Sequence, residues 1–402
     1  MLGRQRSEVD PVASTPFRSS HNQNSSGTNF AIFAVLLVVI RVVFALIALR
    51  TIGHDFHKGP FFSSRESSWI RLFNNWDATH YQEISQFGYH KFESRAFLPA
   101  YPLLIRSVSP IVGRLLGGLL IAWIGAVFAI WGVIDVARKY VSTSTALVSG
   151  ALLAWNPVSV FLISGYPESL LVATMIWSLR FCLDRRWLPA ALLAAFASCT
   201  MPQGVAASVV VVTAVVISES GRMRFLRAMF YGILGEAGSL GFLIYNGFAT
   251  GNVLASQRAA QMGWHEHLTY PFHIALRLVA ILINGHHQIQ IESVFVINAI
   301  AGALGIASIG FAIYIAFRYK SLELPAVLLI VANLLSLSTI DGGSESTARF
   351  IFFTAPLYIF VAVGLEMFSQ PVRRAVVGTV MLVCCSSAIL FGLQFNLGWW
   401  FT

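Results

Sequence analysis

Apolar and polar residues fall along this chain in blocks. Eleven apolar stretches stand out, at about 30–49, 111–134, 144–164, 167–183, 188–201, 203–218, 226–247, 293–316, 324–340, 350–367 and 375–393. A run of about 20 such residues matches the hydrocarbon thickness of a bilayer. Lipid offers the backbone no hydrogen-bond partner, so each stretch is expected to be helical. The pattern predicts an all-α, polytopic integral membrane protein with about 11 transmembrane helices. The first stretch carries one charge, Arg41, and exceeds the apolar region of a secretory signal, so it reads as a retained helix.

Composition strengthens this reading. The 402 residues are 56% hydrophobic and 11% charged, against about a quarter charged in a soluble domain. So little charge cannot wet the surface of one globule of this size. Cys182, Cys199, Cys384 and Cys385 lie in or near apolar stretches without zinc or disulfide spacing, and read as small packing residues.

Charge sets the orientation. With the N-terminus in the cytoplasm, Arg138/Lys139, Arg185/Arg186, Arg222/Arg224/Arg227, Arg318/Lys320 and Arg373/Arg374 all fall on inside connectors, as do Arg4, Arg6 and Arg18. This requires residues 188–218 to break at Pro202 and Gly204. The net charge of +9 is then explained by topology, and no nucleic-acid partner is expected. Residues 1–28 are polar and read as a disordered cytoplasmic tail. Residues 29–402 form a single transmembrane domain with outer loops at 50–110, 248–292 and 341–349. Acidic and aromatic residues gather in these loops, which points to chemistry at the outer face.

The strongest local pattern runs from Asn74 to Tyr89. Asn75 suits a helix N-cap, and Asp77, His80, Tyr81 and Ile84 then share one face. Trp76 and Tyr81 suit the headgroup zone. The segment reads as an interfacial helix presenting one carboxylate, the group that a general base for a hydroxyl acceptor requires. An acid that only complements the helix dipole is the competing reading. Downstream, Pro99 and Pro102, three apart, argue against a regular helix.

Several strings together resemble the PIG-V family, which includes the second mannosyltransferase of GPI-anchor assembly and bacterial relatives. They are Trp76-Asp77-Ala78 with Tyr81, Ile84 and Gly88-Tyr89, then Phe97-Leu98-Pro99-Ala100-Tyr101-Pro102-Leu103. Asn156-Pro157, Tyr166-Pro167-Glu168-Ser169, the segment from Gly251 to Trp264, and Ala348-Arg349-Phe350 with Pro356 fit as well. At Thr200-Met201-Pro202-Gln203-Gly204 the chain departs, with Met201 where the family tends to have arginine. The resemblance covers most of the chain after residue 30, and the first-loop motif is its specific part. It implies a GT-C glycosyltransferase using a polyprenyl (dolichyl-type) phosphate sugar, with the family's first-loop acid at Asp77 and an α-mannoside product from a β-linked donor.

Sugar nucleotides are made in the cytoplasm, so an outer site needs a lipid-linked donor. Arg349, and second Arg258, are the candidates for its phosphate, since a guanidinium fork matches phosphate oxygens. Snorkelling from a helix end is the other reading of Arg349. Trp76, His80, Tyr81, Glu168, Gln257 and Trp264 are candidate substrate-binding residues. Glu168 also suits a first helical turn, and Trp264 an aromatic belt. His265, His267, His286 and His287 lack metal-ligand spacing. Asp341 and Glu345 could hold a cation, but Gly342-Gly343 between them suits plain flexibility. No cofactor is expected, with a divalent metal left open. A lipid or glycan acceptor is expected, with a protein acceptor left open, and a bacterial plasma membrane suits the chain better than endoplasmic reticulum. A lipid or solute transporter would instead place ionisable groups at mid-membrane; Arg41, Arg180 and Glu236 are the mid-span charges and form no evident relay. A non-catalytic subunit of a glycosylation complex would keep the fold and tolerate loss of Asp77.

Overall fold

A computed structural model describes residues 27–52, 70, 73–271, 273, 293–340 and 346–396. The N-terminal tail through residue 26, His286, His287, Asp341 and Glu345 lie outside the described residues. The first helix, α1 (Gly27–Ile52), leads to α2 (Asp77–Phe87), a 3-10 turn at Glu93–Ala96, and α3 (Ala100–Val112). Then come α4 (Arg114–Ala137), α5 (Thr143–Ala154), the single turn α6 (Val160–Ile163), and α7 (Glu168–Leu183). Helix α8 (Trp187–Ser198), a 3-10 turn at Pro202–Gly204, and α9 (Val205–Ser218) follow. Next are α10 (Met223–Gly235), α11 (Ala237–Thr250) and α12 (Ala255–Trp264). The chain closes with α13 (Ser293–Arg318), α14 (Glu323–Ser338), α15 (Thr347–Phe352), α16 (Pro356–Glu366) and α17 (Gln370–Asn396). A two-stranded antiparallel pair joins His267–Leu268 to Thr339–Ile340.

The protein is an all-α, multi-span membrane protein. Among the described residues five helices are long and apolar enough to cross a bilayer: Gly27–Ile47, Arg114–Ala137, Val296–Arg318, Lys320–Ser338 and Gln370–Asn396. Helices α10 and α11 pass together as a sixth, bent by 57°. Helix α1 shows Ile32, Leu36, Val39, Ile40, Val43 and Ile47 on its outside, an apolar face suited to lipid.

Several expected spans are broken. Residues 144–164 split at Asn156-Pro157, because proline bars the preceding residue from helical geometry; Asn156 Oδ1 accepts from the Val158 amide at 3.0 Å and holds the turn. Residues 226–247 bend at Glu236. Residues 350–367 start as α15 and restart at Pro356. The break between α8 and α9 falls at Pro202–Gly204, as charge balance requires.

At that break the backbone comes very close to itself. A Cβ on Gly204 would lie 2.0 Å from the Ala197 carbonyl oxygen, so no larger residue fits without moving main chain. Gly204→Ala is expected to destabilise the protein by about 1–3 kcal/mol. Thermal unfolding in detergent checks this, and an unchanged midpoint would contradict the close approach.

Two local expectations are corrected. Asn75 does not cap α2. Trp76 occupies that position without a side-chain cap, and the Asn75 amide donates to the Phe395 carbonyl at 3.1 Å. Pro99 and Pro102 do not prevent a helix, since α3 starts directly after Pro99. Pro102 sits in its first turn, where backbone N–H groups have no intrahelical acceptor anyway.

Helices α4 and α7 run in the same direction, with Gly125 against Ser169 and Gly132 against Ile176. At their C-terminal ends Arg138 and Arg180 pair with Asp135, and Lys139 and Arg180 with Asp184. Arg180 therefore closes one end of the bundle and is not a mid-span charge. The N-terminal ends of the same helices lead to the opposite end, where α2, α12 and the α8–α9 break meet.

Candidate active site

The site end is built around Arg349 on the short helix α15. Its neighbour Ala348 anchors that helix, the backbone amide donating to Asn298 Oδ1 of α13 at 2.7 Å. Arg349 is 5% exposed. Its Nη1 donates to Asp77 Oδ2 at 2.8 Å, and its Nε donates to Glu168 Oε1. The guanidinium carbon lies 4.9 Å from the ring centre of Tyr166 and 5.2 Å from that of Phe161. Three residues that the sequence singles out from separate segments thus form one trio. Arg349 serves first as counter-ion to two carboxylates, with Nη2 committed to neither.

The two acids differ in surroundings. Glu168 opens α7 after Pro167 and is 1% exposed, whereas Asp77 is 19% exposed. Asp77 is therefore the acid that a substrate can reach. Its backbone is held too: the Asp77 amide donates to Tyr166 Oη at 3.1 Å, and that hydroxyl donates to the Asn75 carbonyl at 3.1 Å. Trp76, just before it, holds φ 57° and ψ −127°. A non-glycine residue in that region costs about 1–3 kcal/mol, and such strain collects at functional positions. The turn starts α2 at Asp77 and directs its amide to Tyr166.

The approach of Tyr166 depends on Gly165. A Cβ there would lie 2.3 Å from Asn74 Oδ1, and the Gly165 amide donates to the Phe73 carbonyl at 2.8 Å. On the other side of Glu168 lies a small gap of about 10 Å³, lined by Met201, Gln203, Arg349 and Thr354, among others. Glu168 Oε2 and Gln203 Oε1 are both buried without a hydrogen-bond partner. Met201 lines the same gap as Glu168 and Arg349.

The remaining candidates divide into two groups. His80, Tyr81 and Trp264 converge on Phe97. His80 stacks on it at 5.0 Å between ring centres, while Tyr81 and Trp264 meet it edge to face, each at 5.0 Å. Trp76 is 41% exposed at the rim. Gln257 and Arg258, on α12, are exposed and take no part in the trio's ion pairs. Tyr166, Phe161 and Gln203 are site-forming residues to which the sequence reading gave no role. Tyr166 lies two positions before Glu168, in a string already noted.

Burial holds His80 below the ordinary imidazole range, with the nearby Asp77 charge opposing this. The neutral ring is thus the packed form. Its contribution is full above the ordinary imidazole pKa of about 6.5 and is lost as pH falls through that value. His80→Phe is expected to remove this part of the acid sensitivity. The thermal midpoints of both proteins between pH 7.5 and 5 test it, and parallel curves would contradict it.

No family model and no curated protein sequence matches the chain. Its fold is similar to that of solved membrane glycosyltransferases. ArnT from Cupriavidus metallidurans, solved bound to undecaprenyl phosphate, matches with 13% identity over 90% of this chain and 75% of that one, at a TM-score of 0.52. The oligosaccharyltransferase AglB from Archaeoglobus fulgidus, in complex with an inhibitory peptide and a dolichol-phosphate, matches with 13% identity over 90% and 56%, at 0.49. Its apo form matches with 12% identity over 94% and 57%, also at 0.49. The chain spans little more than half the length of that oligosaccharyltransferase. The ArnT likeness shows a GT-C type fold.

Proposed function

We propose that this protein is a membrane glycosyltransferase. It transfers a hexose from a polyprenyl-phosphate sugar to a hydroxyl of a lipid or glycan acceptor at the outer or luminal face. Mannose is the sugar that the PIG-V resemblance favours. The observation that carries the reading is the Asp77–Arg349–Glu168 trio, with one accessible carboxylate, at one end of a GT-C type bundle. The undecaprenyl phosphate bound to ArnT is in keeping with a polyprenyl carrier.

The geometry suits a single displacement. Asp77 takes the proton of the acceptor hydroxyl as that oxygen bonds to the anomeric carbon. The bond from that carbon to the phosphate oxygen breaks, and polyprenyl phosphate leaves with the electron pair. The anomeric centre inverts. Phosphate is already a good leaving group, so no acid need protonate it, in contrast to glycoside hydrolysis. Arg349 keeps Asp77 oriented, and its remaining N–H groups face the developing phosphate charge.

The test uses membranes containing the protein and labelled polyprenyl-phosphate mannose or glucose. Label is counted in lipid and glycan fractions against membranes without the protein. Covalent transfer from either donor supports the reading, and the ratio names the sugar. Label that crosses the membrane unchanged would support a transporter and sink the proposal.

A further inference from the structure

A groove of about 320 Å³ lies between α13, α16 and α17. Leu304 and Phe311 of α13, Leu357, Phe360 and Gly364 of α16, and Val377 of α17 line it. That volume falls within the roughly 300–1,000 Å³ of ordinary ligand pockets. Its walls are apolar. Ser308 is the polar exception, and its hydroxyl is already engaged: it donates to the Gly305 carbonyl at 2.8 Å and accepts from Asn333 Nδ2 at 2.8 Å. The occupant such a lining suits is a hydrocarbon chain. Along α16 the groove runs from Leu357 to Leu365, about 12 Å at 1.5 Å per residue. One leaflet of the hydrocarbon core of a bilayer is about 15 Å deep.

The groove lies toward the end of the bundle remote from Asp77. Leu365 and Phe368 line it and flank Glu366. Glu366 accepts from the Ser142 and Thr145 hydroxyls, just beyond the Arg138 and Lys139 end of α4. Arg373 is committed to the same acid, at 2.8 Å. Arg374, the next residue, is exposed and enters no ion pair among the described residues. It stands one helical turn before Val377, on the same face of α17. Arg318 and Lys320 are exposed just past the neighbouring end of α13 and add two cations. Basic residues beside a membrane span attract anionic lipid heads.

We propose that this groove holds one acyl chain of an anionic phospholipid, whose phosphate rests on Arg374. The chain fills the apolar groove over the depth of one leaflet, and the head meets the cation beside it. A polyprenyl phosphate serving the Asp77 site would carry its charge at the opposite end of the bundle. The inference rests on the membrane-spanning fold and stands whether or not the protein transfers sugar.

The experiment places the full-length protein in phosphatidylcholine nanodiscs with a little phosphatidylglycerol that carries a diazirine within its acyl chain. Irradiation, digestion and mass spectrometry then map the cross-links. They are expected to concentrate on residues 304–311, 357–368 and 376–380, which line the groove. The same probe with a phosphatidylcholine head should label these residues at least fivefold less. Gly364→Leu is expected to cut groove labelling at least fivefold. A Cβ there meets only the Phe311 ring, at 3.6 Å, so the new side chain enters the groove without displacing backbone. Arg374→Gln, at an exposed position, should lower phosphatidylglycerol labelling to the phosphatidylcholine level, and it decides if Gly364→Leu does not fold. Equal labelling by both heads overturns the proposal. So does labelling confined to outward residues such as Ile313 and Leu382. Displacement of the probe by undecaprenyl phosphate but not by plain phosphatidylglycerol also overturns it, and gives the groove to the carrier.

Discussion

Asp77→Asn is expected to lower sugar transfer by about 10²–10⁴-fold while leaving the protein folded. The amide keeps the shape of the carboxylate and can still accept from Arg349 Nη1, but it cannot take a proton from the acceptor. Asp77 is partly exposed, so the buried charge balance changes little. The decisive comparison is transfer rate at matched protein level, with the unfolding midpoint measured in parallel. A mutant with wild-type rate would remove Asp77 as the base and turn attention to Glu168. A mutant that loses rate only because it unfolds would be recognised by its midpoint.

Replacing Arg349 is expected to damage both the fold and the reaction. Arg349→Gln leaves Glu168 buried without a counter-ion and Asp77 without its orienting donor. Breaking a buried pair from one side typically costs about 3–5 kcal/mol, so a loss of folded yield is expected. Double replacement with Glu168→Gln should recover much of that stability, because the orphaned charge is then gone, yet recover no transfer. Arg349→Lys keeps a charge but not the fork that reaches two carboxylates at once. It should fold better than the glutamine variant and still lose most activity. Recovery of transfer in the double variant would exclude Arg349 from handling the phosphate and leave it a purely structural ion.

The core of this site was legible in the sequence. Asp77 stood in a distinctive loop, Glu168 followed a proline at an expected helix start, and Arg349 began another. What pattern could not reveal is that they meet. Ion pairs spanning 181 and 272 residues leave no periodic trace. Asn75 shows the same limit: its side chain looked suited to a local cap, but a carbonyl 320 residues away takes its donor. The breaks at Asn156-Pro157 and Glu236 also hid inside continuous apolar runs. Hydropathy reports affinity for lipid, whereas a bend depends on which neighbouring helix the backbone must meet. Gln257 is suggested by a segment-level resemblance and Arg258 by its guanidinium in an outer loop, and both are exposed on α12.

The long separations within the trio bear on how the protein is made. Glu168 is synthesised 181 residues before Arg349. At ordinary ribosome speeds of about 5–20 residues per second, that gap lasts roughly 10–40 s. During it the nascent chain holds an acid destined for complete burial, with no guanidinium yet synthesised to meet it. The ion pair that Glu168 makes in the finished protein can therefore form only after α15 has been made.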